Sequence, residues 1–277
     1  MPFMTPTARA EFPGVAAAAF SAFALGFRRC FANWPILAGR VGFYLVAMTV
    51  LSALWDKVSD QHLAGTLASQ LPAGGLTLYV GVTEWITFST AAIYLRLEDD
   101  IRQGTLEPHL LRPKPYLVQK IAETLGDSFG RFVALGFVAL IALALSGRAA
   151  PPAPAFVYAA GLGVLGVVIG VLLLTLVGLA AFWLRRVLPP YLIMQKSIFL
   201  LGGLFAPISL YPVWLYRIAA ATPFAANLFF AGNQMIAPSA ERFAHALVLQ
   251  LLWIAALGGL VALVWRAGLR KILREGL

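Results

Sequence analysis

Most of this chain consists of long apolar blocks separated by short polar ones. Six blocks read as membrane spans: residues 36–55, 76–95, 125–145, 156–184, 191–206 and 246–265. At about 1.5 Å per residue, some twenty helical residues cover the roughly 30 Å of a bilayer's hydrocarbon core. The block at 156–184 is longer than that and must tilt or project, whereas 191–206 is short. Ahead of the first block, residues 15–34 are helix-compatible, with Phe20, Phe23, Phe27 and Phe31 spaced three and four apart and Arg28 and Arg29 beside them. That pattern predicts a helix lying in the membrane interface, ended by Pro35. A signal peptide carries its charge before the apolar run, and here it comes after; the arginine pair also lacks the polar lead-in of a twin-arginine signal. Residues 1–13 read as a loosely bound start.

The alternation fails in two places. From 207 to 238 the chain stays rather apolar but is cut by Pro207, Pro212, Pro223 and Gly232 into two pieces too short to cross. They fit either a re-entrant pair of half-helices, tolerated where protein buries the loose backbone, or an external loop carrying an amphipathic helix. Between the second and third spans lies the only long polar segment, residues 97–116. Glu98, Asp99 and Asp100 place negative charge in a helical turn, Gly104 can close that turn in the left-handed conformation, and Thr105 can cap a second short piece. Leu106, Leu110 and Leu111 fall on one side of that piece, which Pro113 and Pro115 stop. A short helix with one apolar face, held in water, calls for a groove; the alternative is a solvated loop carrying three leucines.

Composition supports lipid as the main solvent. Of 277 residues, 60% are hydrophobic and 12% charged, against roughly 45–50% and 25% in a soluble domain. The net charge of +9 does not point to nucleic acid, because the basic residues sit at the ends of apolar runs. They report topology instead. With the N-terminus cytoplasmic, all but Lys57, Arg148, Arg217 and Arg242 of the 21 Lys and Arg fall on the inner side. Both termini and the 97–116 segment are then cytoplasmic.

Candidate chemistry is sparse. Cys30 is the single cysteine, and His62, His109 and His245 lie in three separate polar stretches, so no metal site is expected. No lysine comes after a glycine as a P-loop requires, and G-x-S-x-G and H-E-x-x-H are absent. Neither a catalytic centre nor a bound cofactor is expected. Asp127 and Arg131, four apart, can neutralise each other at the start of the third span. Gly166 and Gly170 form a G-x-x-x-G that permits close helix approach, more often ordinary packing than a specific dimer face. Glu84 is the one carboxylate predicted near the bilayer centre. An ionised carboxylate near the bilayer centre costs at least roughly 2.5–3.5 kcal/mol, so Glu84 faces the protein interior, either for packing or in a transport path.

The run Asp100-Ile101-Arg102-Gln103-Gly104-Thr105-Leu106, continuing through Leu110-Leu111-Arg112-Pro113, resembles the R-x-G-x-L-x-x-x-L-L-R-P signature of type-2 ATP-binding-cassette (ABC-2) transporter permeases. Gln195-Lys196, the stretch Leu200 to Phe205, Pro207, Leu210, Pro212, Trp214-Leu215 and Thr222-Pro223-Phe224 resemble the fifth span and re-entrant region of the same group. The likeness runs from about Val15 to the C-terminus. It implies an all-α membrane protein with six transmembrane helices, an N-terminal interfacial helix, a cytoplasmic coupling helix after span two and a re-entrant half-helix pair between spans five and six. It further implies an inner-membrane exporter subunit that pairs with a second permease, identical or not, and sits on two separate P-loop ATPase subunits. The ATPase contact then falls to Glu98, Asp99, Asp100, Arg102, Gly104, Leu106, Leu110, Leu111 and Arg112, with the N-terminal helix as a second contact. The rival reading is a secondary transporter in which Glu84 carries protons, although the chain shows no internal repeat of the kind many such transporters have.

Overall fold

A computed structural model describes residues 14–60, 74–104, 106, 115–146 and 150–275. Among these residues all regular structure is helical, in the order α1 (Val15–Ala32), α2 (Trp34–Asp60), α3 (Gly75–Ser89), α4 (Ile93–Arg102), α5 (Tyr116–Leu145), α6 (Ala153–Leu179), α7 (Leu188–Leu201), α8 (Val213–Ala220), α9 (Pro223–Asn227), α10 (Phe229–Ile236) and α11 (Ala240–Glu275).

Six stretches are long and apolar enough to cross a membrane: Val15–Ala32, Trp34–Trp55, Gly75–Arg102, Tyr116–Leu145, Ala153–Phe182 and Ala240–Arg274. The count equals the expected one, but the set differs. It includes α1, expected at the interface, and leaves out α7, which covers most of the expected span at 191–206 but has only 14 residues and ends at Leu201. That is about 21 Å of helix, short of the hydrocarbon thickness. Helix α5 contains the expected third span at 125–145 and begins earlier, at Tyr116.

Helix α6 is the centre of the bundle. Its mean composition is the most apolar of the long helices, and buried residues recur around its whole circumference from Leu162 to Leu179, as expected of a helix packed on all sides. Around it stand α3, α4, α9, α10 and α11. Helix α2 runs antiparallel to α3, joined where Tyr44 donates to the Gly81 carbonyl (3.2 Å) and Arg40 to that of Phe88 (3.5 Å).

Helix α1 packs lengthwise on the first half of α5. Gly26 and Gly126 each face the other helix's backbone so closely that a Cβ would overlap the Glu123 carbonyl in one case and the Phe23 carbonyl in the other. Gly130, one turn further along α5, rests on Cys30. This is the small-residue helix contact of membrane proteins, formed by Gly126 and Gly130. The G-x-x-x-G at Gly166 and Gly170 serves a different purpose, admitting Asn227 and Thr90 against α6. The phenylalanine strip divides: Phe23 and Phe27 pack on Phe129 at 6.0 and 6.2 Å, while Phe20 stays exposed.

Candidate functional site

Helix α4 is amphipathic, burying Ile93, Tyr94, Leu97 and Ile101 against α6 and the 179–187 turn. Its acidic run divides by angle. The Glu98 carboxylate accepts from the Val187 backbone N–H (3.3 Å) and from Arg102 (3.5 Å). Asp100 accepts from the Tyr116 hydroxyl and from Lys120 (2.5 Å), tying α4 to the start of α5. Asp99, between them, points outward with Arg102, because neighbours on a helix are about 100° apart. Gly104 has φ +69°, the left-handed value that lets the chain turn after α4. Leu106 is fully buried in the same core as Leu97 and Tyr116, so its side chain packs inside this chain. Leu110, Leu111 and Arg112 lie outside the described residues.

Glu84 sits on α3, 95% buried, with Thr87 and Phe88 on the same face one turn on. That face borders a cavity of about 640 Å³ between α2, α3, α6 and α7. Its wall is mainly apolar, with Glu84, Thr87, Thr90, Asn227, Gln195 and Arg40 among its polar members. Tyr94 and Tyr191, stacked at 4.2 Å, form one end. Among the described residues the Glu84 carboxyl has no hydrogen-bond or ion-pair partner. An apolar cavity with a few convergent polar groups and one free acid is the form of a binding site. It suits an amphipathic molecule bearing a hydrogen-bond donor or a positive charge.

Around the cavity, buried side chains on neighbouring helices bond backbone carbonyls and hold the elements together. Tyr79 donates to the Gly203 carbonyl (2.6 Å) and Thr83 to that of Leu204 (2.8 Å). Gln250, fully buried on α11, donates to the carbonyls of Leu162 (3.0 Å) and Ala226 (2.7 Å); Asn227 donates to that of Gly166 (2.7 Å). Gly203, at φ +70°, turns the chain out of α7 with Tyr79 Oη and the Ala206 carbonyl so near that a Cβ would meet both at 2.8–2.9 Å. Sequence reasoning passed over Asn227 and Gln250. Their signal was present, since a polar amide inside an apolar block needs a partner.

Residues 76–276 match a protein-family model described as ABC-2 family transporter protein. The match begins within α3, so α1 and α2 lie ahead of it. No curated protein matches the chain.

Proposed function

This chain belongs to the ABC-2 transporter family, and from that membership we propose that it is the membrane permease subunit of an ATP-driven exporter. Hydrolysis is supplied by separate P-loop ATPase subunits, and a second permease, identical or not, completes the assembly. In this reading α1 lies along the interface and residues 191–206 make the fifth crossing, so the subunit sits in the inner membrane with both termini and the 97–116 segment in the cytoplasm, and residues 207–238 dip into the bilayer from the opposite side.

The observation that carries this reading is the division of labour along α4 and its continuation. Glu98, Asp100 and Leu106 fasten the segment to α5 and the core, while Asp99 and Arg102 face outward. A segment braced from within and charged on its outer side transmits a push from an ATPase groove to α3 and α5 as a rigid body. The apolar anchors for that groove are then Leu110 and Leu111, with Arg112 beside them. The Glu84 cavity is the substrate path.

Replacing Leu110 with Asp in the full-length chain should abolish co-purification of the ATPase while insertion is unchanged, because it places an unpaired charge in an apolar groove. Retention of the ATPase at the unmodified level would overturn the coupling assignment. Transport into vesicles that persists with ATP present and the proton gradient collapsed separates this reading from a proton-coupled carrier.

A further inference from the structure

Where α1 turns into α2, four arginines meet two carboxylates. Arg29 pairs with Glu123, Arg96 reaches Glu123 (3.6 Å) and Asp127 (3.7 Å), and Arg131 pairs with Asp127 at 2.6 Å. Arg40 adds a fourth positive charge, close enough to Arg131 for the two to repel, and its only hydrogen bond among the described residues is the 3.5 Å contact to the Phe88 carbonyl. The cluster therefore carries two more positive charges than negative ones. Two buried donors in it, Arg40 Nε and Arg131 Nη1, have no hydrogen-bond acceptor among the described residues. Arg131 is 91% buried and lies beside the Cys30 thiol, a weak acceptor. A guanidinium cannot relieve such a position by losing its proton.

Both arginines line a cleft of about 90 Å³, together with Arg29, Asn33, Ile36, Arg96 and the Asp127 carboxylate, which is already paired with Arg131. The size suits one compact anionic group and no folded segment. Beside the cleft, Phe31, Trp34 and Ile36 are exposed apolar side chains on the elbow between the two helices. A charged recess rimmed by exposed apolar surface matches a molecule with an anionic head and a hydrocarbon body.

We infer that this cleft binds the phosphate group of an anionic phospholipid, with its acyl chains laid over Phe31, Trp34 and Ile36. Guanidinium groups take phosphate oxygens in bidentate geometry, and basic recesses between membrane helices select anionic headgroups. The bound phosphate supplies the missing acceptors and separates Arg40 from Arg131. It also links the α1–α2 elbow to α5. Only the leaflet depends on the orientation proposed for the permease; binding itself requires neither the ATPase nor a substrate.

The test uses delipidated full-length protein in detergent, with phosphatidylglycerol, phosphatidylcholine or inorganic phosphate added back and bound lipid counted by native mass spectrometry. Phosphatidylglycerol should be retained in preference to phosphatidylcholine. Arg40→Gln should lower that retention roughly fivefold, the worth of one basic residue near an anionic headgroup, and Arg186→Gln, an equal loss of charge at an exposed site elsewhere, should leave it unchanged. Asn33→Glu places a carboxylate at the exposed lip of the cleft, so it should remove the preference even if Arg40→Gln fails to fold. Equal retention of the two lipids, or retention unaffected by both cleft variants, would overturn the site. Displacement of the lipid by inorganic phosphate at matched concentration would show a free-anion site and overturn the lipid assignment.

Discussion

Asp127 of α5 and Glu84 of α3 are both buried, and they are treated in opposite ways. Asp127 is 5% exposed and bonds Arg131, with Arg96 at 3.7 Å; Glu84 is equally buried and faces a cavity with no partner among the described residues. The first arrangement stabilises helix packing, because each charge removed from water is met by another. The second gains no such partner and carries the cost of burying a carboxyl, which under the proposed function is offset by what enters the cavity. Under the proposed function, the contrast separates a structural acid from a functional one without appeal to position in the sequence.

Substitutions that remove one partner at a time sharpen the contrast. Asp127→Asn strands Arg131 in a buried setting and should cost about 3–5 kcal/mol, measured by denaturant unfolding in mixed micelles. A loss below roughly 1 kcal/mol would mean that the Asp127–Arg131 pair is solvated and that the contrast with Glu84 is one of exposure. Gln250→Leu removes the donor that holds the Ala226 carbonyl and should cost about 1–2 kcal/mol, the range of interhelical hydrogen bonds in membranes. Glu84→Gln should change stability least, by about 0.5 kcal/mol or less, since no partner is lost. Its effect should appear in the rate or substrate range of ATP-driven transport. A Glu84→Gln protein that is strongly destabilised yet transports normally would move Glu84 into the structural class.

Legibility in the sequence depended on how local each signal was. The i, i+4 pair of Asp127 and Arg131 and the turn at Gly104 rest on a few neighbouring residues, and both are present. The phenylalanine spacing of residues 15–34 is enough to predict a helix there, but it cannot say that Gly26 meets Gly126 on a helix a hundred positions later. Likewise, the apolar run extends the expected fifth span through Ala206, whereas the chain turns at Gly203 under bonds from Tyr79 and Thr83.

Hydropathy and charge distribution were enough to determine a multi-pass helical membrane protein with a polar segment after its second long apolar stretch. These properties come from transfer free energies, which add residue by residue along the chain. The tertiary structure alone decided that Asp100 meets Tyr116 and Lys120, which glycines bring helices together, and that Arg40 and Arg131 share a cleft short of acceptors. Those outcomes depend on distances between segments far apart in the chain, set by how the helices close on α6, and no local pattern encodes them.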